Sequence, residues 1–154
     1  MKYQCNVEER TAQPVLTVRG RSPVQELPQF LGRAYGAIGA YLGQLGQGPA
    51  GPPFAAYYNM DMQDLDVAAG FPVVTPLPER GEIQAGEMAA GMYATCMYTG
   101  PYTGLSEAYE ALNRFMQEKT LTSTGLVYEF YFGDPNEAPS EQLGTLILFE
   151  LKEG

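Results

Sequence analysis

The chain has 154 residues, 45% of them hydrophobic, with a formal charge of −9 and no histidine. That length and apolar content predict one globular domain, and the acidic excess without a basic stripe argues against nucleic-acid binding. Without histidine no Ser-His-Asp or Cys-His nucleophile can be assembled, and Cys5 and Cys96 lack metal-ligand spacing, so neither metal nor cofactor is expected.

Residues 3–9 and 14–20 read as extended, the second stretch (PVLTVRG) alternating at period two. Ser22-Pro23 signals a helix start, an N-cap hydroxyl followed by proline. Leu27, Leu31, Ala34, Ile38, Tyr41/Leu42 and Leu45 then recur at three and four as one apolar face. GQGPAGPP (46–53) ends that helix. FAAYYN (54–59) is a strand, MDMQDLD a turn, and Leu65 to Val74 a second strand with a break at Gly70. A long extended segment runs from Ile83 to Tyr98. A second amphipathic helix follows Thr99-Gly100-Pro101-Tyr102 and carries Leu105, Ala108/Tyr109, Leu112 and Phe115/Met116. VYEFYF (127–132) and TLILFEL (145–151) are strands joined by GDPNEAPSEQLG.

The order strand, helix, strand, strand occurs twice, which predicts a duplication with pseudo-repeats of about 1–80 and 81–154 in a single domain. Ser22-Pro23 corresponds to Gly100-Pro101, and FAAYYNMD to VYEFYFGD, so Glu129 falls opposite Ala56 and Tyr131 opposite Tyr58. The fold class is therefore α+β, a tandem pseudo-twofold repeat of βαββ modules with antiparallel sheet, two helices and a central ligand cleft.

Period-two alternation in VYEFYF puts Tyr128, Phe130 and Phe132 on one face and Glu129 and Tyr131 on the other. Two readings stay open at this point. Glu129 is either a solvent-side residue of an antiparallel sheet or a carboxylate set in an aromatic pocket. Eleven Tyr, seven Phe and seven Met supply polarisable surfaces suited to aromatic cations, though most must be core.

The stretch Glu129-x-Tyr131-x-x-Asp134-Pro135, then Pro139-x-Glu141-x-Leu143-x-Thr145-x-Ile147, resembles the C-terminal signature of GyrI-like small-molecule-binding domains. Gly91-Met92-Tyr93-Ala94, Thr99-Gly100-Pro101-Tyr102-x-x-Leu105 and Asp66-x-x-Ala69-Gly70-Phe71 are similar to other parts of that family, so the resemblance covers essentially the whole chain. It implies tandem βαββ modules with a cleft for varied hydrophobic cations and Glu129 as counter-charge. The family includes effector-binding domains of bacterial multidrug-sensing activators. Here the first predicted strand starts near residue 3 with no helix-turn-helix before it, the pattern of a stand-alone domain.

The expected function is binding of bulky hydrophobic, cationic aromatic molecules, with Glu129, Tyr131, Tyr58, Tyr35, Phe71 and Ile147 as candidate ligand contacts. The alternative is a metal-free hydrolase of reactive cyclopropane-bearing natural products, with Glu129 as catalytic general base. A protein-binding regulator, such as a gyrase inhibitor, is a third reading. No signal peptide or apolar run of spanning length is present, so the chain is expected to be cytoplasmic and without membrane partners.

Overall fold

In a computed structural model, which describes residues 3–133 and 142–152, PVLTVRG forms the middle of a strand in which Leu16 and Val18 are buried. The strands are β1 (Cys5–Arg10), β2 (Gln13–Ser22), β3 (Phe54–Tyr57), β4 (Leu65–Pro72), β5 (Gln84–Met88), β6 (Gly91–Thr99), β7 (Ser123–Phe132) and β8 (Gly144–Leu151). The helices are α1 (Leu27–Gln44) and α2 (Leu105–Glu118). The fold is α+β, and the pairings within its two units are antiparallel.

One unit comprises Thr11–Ala90. Its strands pair in the order β3-β4-β2-β5, and α1 lies on the face that carries Leu16, Val18, Gly20, Val67, Ala69 and Phe71. Burial falls on Phe30, Ala34, Ile38, Tyr41 and Leu42 of α1, so Phe30 packs where the sequence pattern pointed to Leu31, and Leu45 is exposed. Complete burial of Ile38 and near-complete burial of Leu42 each contribute about 1.5–3 kcal/mol of transfer free energy. Gly70 does not interrupt β4. It permits close approach to β2, since a Cβ there would overlap the Leu16 carbonyl oxygen.

The other unit comprises Met1–Arg10 with Gly91–Gly154. Its strands pair in the order β7-β8-β6-β1, with α2 contributing Ala108, Ala111, Leu112 and Met116 to the core. The same connectivity therefore recurs: β3, β4, β2 and β5 in one unit correspond to β7, β8, β6 and β1 in the other. Both helices are entered alike. Pro23 (φ −67°, ψ 154°) and Pro101 (φ −68°, ψ 150°) each precede a short 3₁₀ turn that leads into the helix. Ser22 does not cap this turn; its hydroxyl donates to the Pro23 carbonyl at 2.9 Å.

The extended segment 83–98 is two strands, divided at Ala89-Ala90 before Gly91, whose φ of +148° suits glycine. β5 pairs with β2, while β6 pairs with β1 and β8. In sequence β1 precedes β2 and β5 precedes β6, yet β1 pairs with β6 and β5 pairs with β2. The repeats have exchanged their edge strands.

Candidate functional site

In β7 the alternation VYEFYF does not divide a wet face from a dry one. Tyr128 and Phe130 are buried, and Glu129 on the opposite face is only 7% exposed. Residues paired across antiparallel neighbours project to the same face, so one rung of β7, β8, β6 and β1 reads Glu129, Ile147, Cys96, Cys5. The adjacent rung reads Tyr131, Thr145, Tyr98. Helix α2 covers this face, with its Tyr109 ring 5.9 Å from that of Phe149 and its hydroxyl hydrogen-bonded to Glu129 Oε2.

Glu129 thus accepts from two tyrosines, Tyr109 on Oε2 and Tyr131 on Oε1, the latter at 2.6 Å. Tyr102, partly exposed in the turn before α2, stands edge-on to Tyr131 at 6.2 Å. Among the described residues, no Lys or Arg lies within ion-pair distance of Glu129. Burial pushes its carboxyl above the usual range, and the two tyrosine hydroxyls only partly offset this. Desolvation, then the nearby Glu129 charge, raises the Tyr102 phenol.

Thr145 is completely buried, and its hydroxyl has no hydrogen-bond partner among the described residues. It sits on the same face, diagonal to Glu129. No group of three or more acidic or thiol side chains placed to hold a metal occurs among the described residues. None of their helices is long and apolar enough to cross a membrane.

The candidates named from sequence divide as follows. Glu129, Tyr131 and the fully buried Ile147 lie together on the α2-covered face. Tyr35 and Phe71 meet in the Thr11–Ala90 unit, edge to face at 5.5 Å, and the Tyr35 hydroxyl donates to the Phe54 carbonyl at 2.8 Å. Tyr58 is 41% exposed beneath the Arg19 guanidinium, 3.9 Å from its ring centroid, and Arg19 itself is paired bidentately with Asp66. The Asp134, Pro135, Pro139 and Glu141 positions of the motif lie outside the described residues.

Strand register corrects the repeat alignment by one residue. Tyr57 pairs with Val67 as Tyr131 pairs with Thr145, and Ala55 pairs with Ala69 as Glu129 pairs with Ile147. In each case these residues face the unit's own helix. The counterparts of Glu129 and Tyr131 are therefore Ala55 and Tyr57, not Ala56 and Tyr58, because a shift of one residue moves a side chain to the other face. Two residues of the site were absent from the sequence candidates. Tyr109 follows the helix's apolar stripe and Tyr102 belongs to the junction motif, so neither stands out as a site residue in the sequence.

A family model for the GyrI-like small molecule binding domain matches residues 3–152. The chain belongs to this family. Among solved structures, the C-terminal domain of EcmrR is similar over 100% of both chains, with 22% identity and a TM-score of 0.85. EcmrR in its DNA complex gives a TM-score of 0.84 at 21% identity. There the match takes 99% of this chain but only 58% of EcmrR, so this GyrI-like chain spans little more than half of that protein. SAV2435, in a structure bound to tetraphenylphosphonium, matches over 99% of this chain and 94% of its own (13% identity, TM-score 0.68). A hydrolase from Listeria innocua matches over 97% and 92% (14% identity, TM-score 0.70). At such identities the likeness is one of fold. None of the curated proteins matches the chain.

Proposed function

We propose that this GyrI-like chain binds bulky, hydrophobic, cationic aromatic molecules and that Glu129 is the counter-charge. One observation carries the reading: a carboxylate buried to 7% exposure is held by tyrosine hydroxyls and by no protein cation among the described residues. Burying a charge without an opposite charge is costly, and a ligand cation entering beside Glu129 offsets that cost. Tyr109, Tyr131, Tyr102 and Phe149 supply aromatic surface on the same side, where cations gain further from ring faces. Ile147 forms the apolar floor beside the carboxylate. The binding of tetraphenylphosphonium by SAV2435, which has the same fold, makes that cation the natural first probe. Calorimetric titration tests the reading: micromolar binding of tetraphenylphosphonium is expected, and no binding would sink it.

A second reading draws support from the same geometry. Glu129 carries a raised carboxyl and converges with two tyrosine hydroxyls, the elements needed to deprotonate a water and polarise a substrate carbonyl. In that case Glu129 Oε takes the water proton as the water oxygen bonds to a cyclopropane carbon. A ring C–C bond breaks with its electron pair passing to the conjugated carbonyl, and a tyrosine O–H donates to the oxyanion that develops there. Incubation with a reactive cyclopropane-bearing electrophile, followed by mass spectrometry, separates the two. Unchanged electrophile, measured against a buffer control, eliminates hydrolysis.

A further inference from the structure

Cys5 and Cys96 are distant in sequence but are register partners on β1 and β6. Directly opposed residues of an antiparallel pair have Cα atoms about 4.5–5.5 Å apart and share a face, within the 4.4–6.8 Å that a disulfide spans. Both thiols are free. Cys96 is completely buried; burial, and then the neighbouring Cys5, push its thiol up to about 12. Cys5 is only half-buried and lines an open groove of about 480 Å³ between β1 and α2, alongside Tyr3, Ala111, Arg114 and Phe115. One sulfur of the pair is therefore reachable from solvent and the other is shielded behind it.

We propose that Cys5 and Cys96 are an oxidation site, forming a reversible cross-strand disulfide when a small hydroperoxide enters the groove. The Cys5 sulfur attacks the terminal peroxide oxygen and the O–O bond breaks. The alcohol, or water from hydrogen peroxide, leaves with the Cys5 proton, and Cys5 becomes a sulfenic acid. The Cys96 sulfur then attacks the Cys5 sulfur. The S–S bond forms, the S–O bond breaks, and the hydroxyl departs as water with the Cys96 proton. The peroxide gains two electrons and the two thiols lose them. The protonated Cys96 slows this second step, but its fixed place opposite Cys5 makes the step intramolecular. The bond ties the edge strand β1 to β6 and closes a loop running through residues 6–95, which restricts the unfolded chain.

The test is to treat the reduced protein with hydrogen peroxide and block remaining thiols. The expected result is loss of two hydrogen atoms from the intact mass and a Cys5–Cys96 cross-linked peptide on mapping. The melting temperature should rise by roughly 5–10 °C, and dithiothreitol should reverse all three changes. Cys5→Ser, at the half-buried position, should show neither the cross-link nor the shift. Over-oxidation of Cys5 with Cys96 untouched, a Cys5–Cys5 link between two chains, or no reaction while a maleimide still labels Cys5 would each overturn the proposal.

Discussion

Replacing Glu129 with Gln retains the side chain's shape and leaves an oxygen to accept from Tyr131, while the charge is lost. A ligand cation ~5 Å from the carboxylate, at an effective dielectric of ~20, is attracted by about 3 kcal/mol. Part of this is offset, because the buried carboxyl must first ionise against its raised pKa. The dissociation constant for tetraphenylphosphonium should therefore rise between roughly tenfold and a hundredfold, at about 1.4 kcal/mol per factor of ten. Triphenylphosphine oxide, aromatic but uncharged, should bind both proteins alike. Isothermal titration calorimetry at fixed ionic strength measures both constants, and thermal melts confirm that the variant is folded. A folded Glu129→Gln protein that bound the cation as tightly as wild type would refute the role given to the charge. Equal weakening towards both ligands would assign Glu129 a packing role instead.

The pH dependence follows from the same burial. A carboxyl raised in the folded state contributes stability that is complete below its unfolded value, near 4.5, and is lost as pH rises through the folded value. Melts of wild type and Glu129→Gln across that range should show the variant gaining relative stability towards neutral pH; a pH-independent difference counts against the raised carboxyl. Cation affinity should run the other way, increasing with pH as Glu129 ionises. Tyr131→Phe removes a hydroxyl that stabilises the carboxylate, so calorimetric titrations should find the midpoint of that affinity curve moved to higher pH. Gly70→Ala should cost about 2–3 kcal/mol in denaturant unfolding, because the added methyl meets backbone rather than a yielding side chain. Thr145→Val replaces an unpartnered buried hydroxyl at equal shape and should stabilise the protein by about 1 kcal/mol.

Much of the fold was legible because local patterns carried it: alternation in PVLTVRG and VYEFYF, the spacing of Ala34, Ile38 and Leu42, and a proline before each helix. What depended on partners was not. Alternation sorts Glu129 from Tyr128 and Phe130, but it does not say which face something covers, and both faces turned out to be buried. Tyr109 follows the helical stripe of α2; that its hydroxyl reaches Glu129 depends on the rotation and placement of the helix. Matching FAAYYN to VYEFYF by residue likeness missed the true register by one, enough to exchange Tyr57 for Tyr58 and an α1-facing ring for one beneath Arg19. The adjacency of Cys5 and Cys96 was likewise hidden, since strand pairing across most of the chain has no local signature.

The exchange of edge strands gives the two units different histories on the ribosome. Residues 11–90 form an uninterrupted stretch that holds every strand of its unit, so that unit can close as soon as β5 emerges. β1 leaves the tunnel before the residue 11–90 unit, yet its partner β6 follows only after that whole unit has been synthesised. For that interval β1 is an open edge awaiting a mate. Its Glu8, Glu9 and Arg10 place charge along the edge and discourage it from pairing with a neighbouring nascent chain.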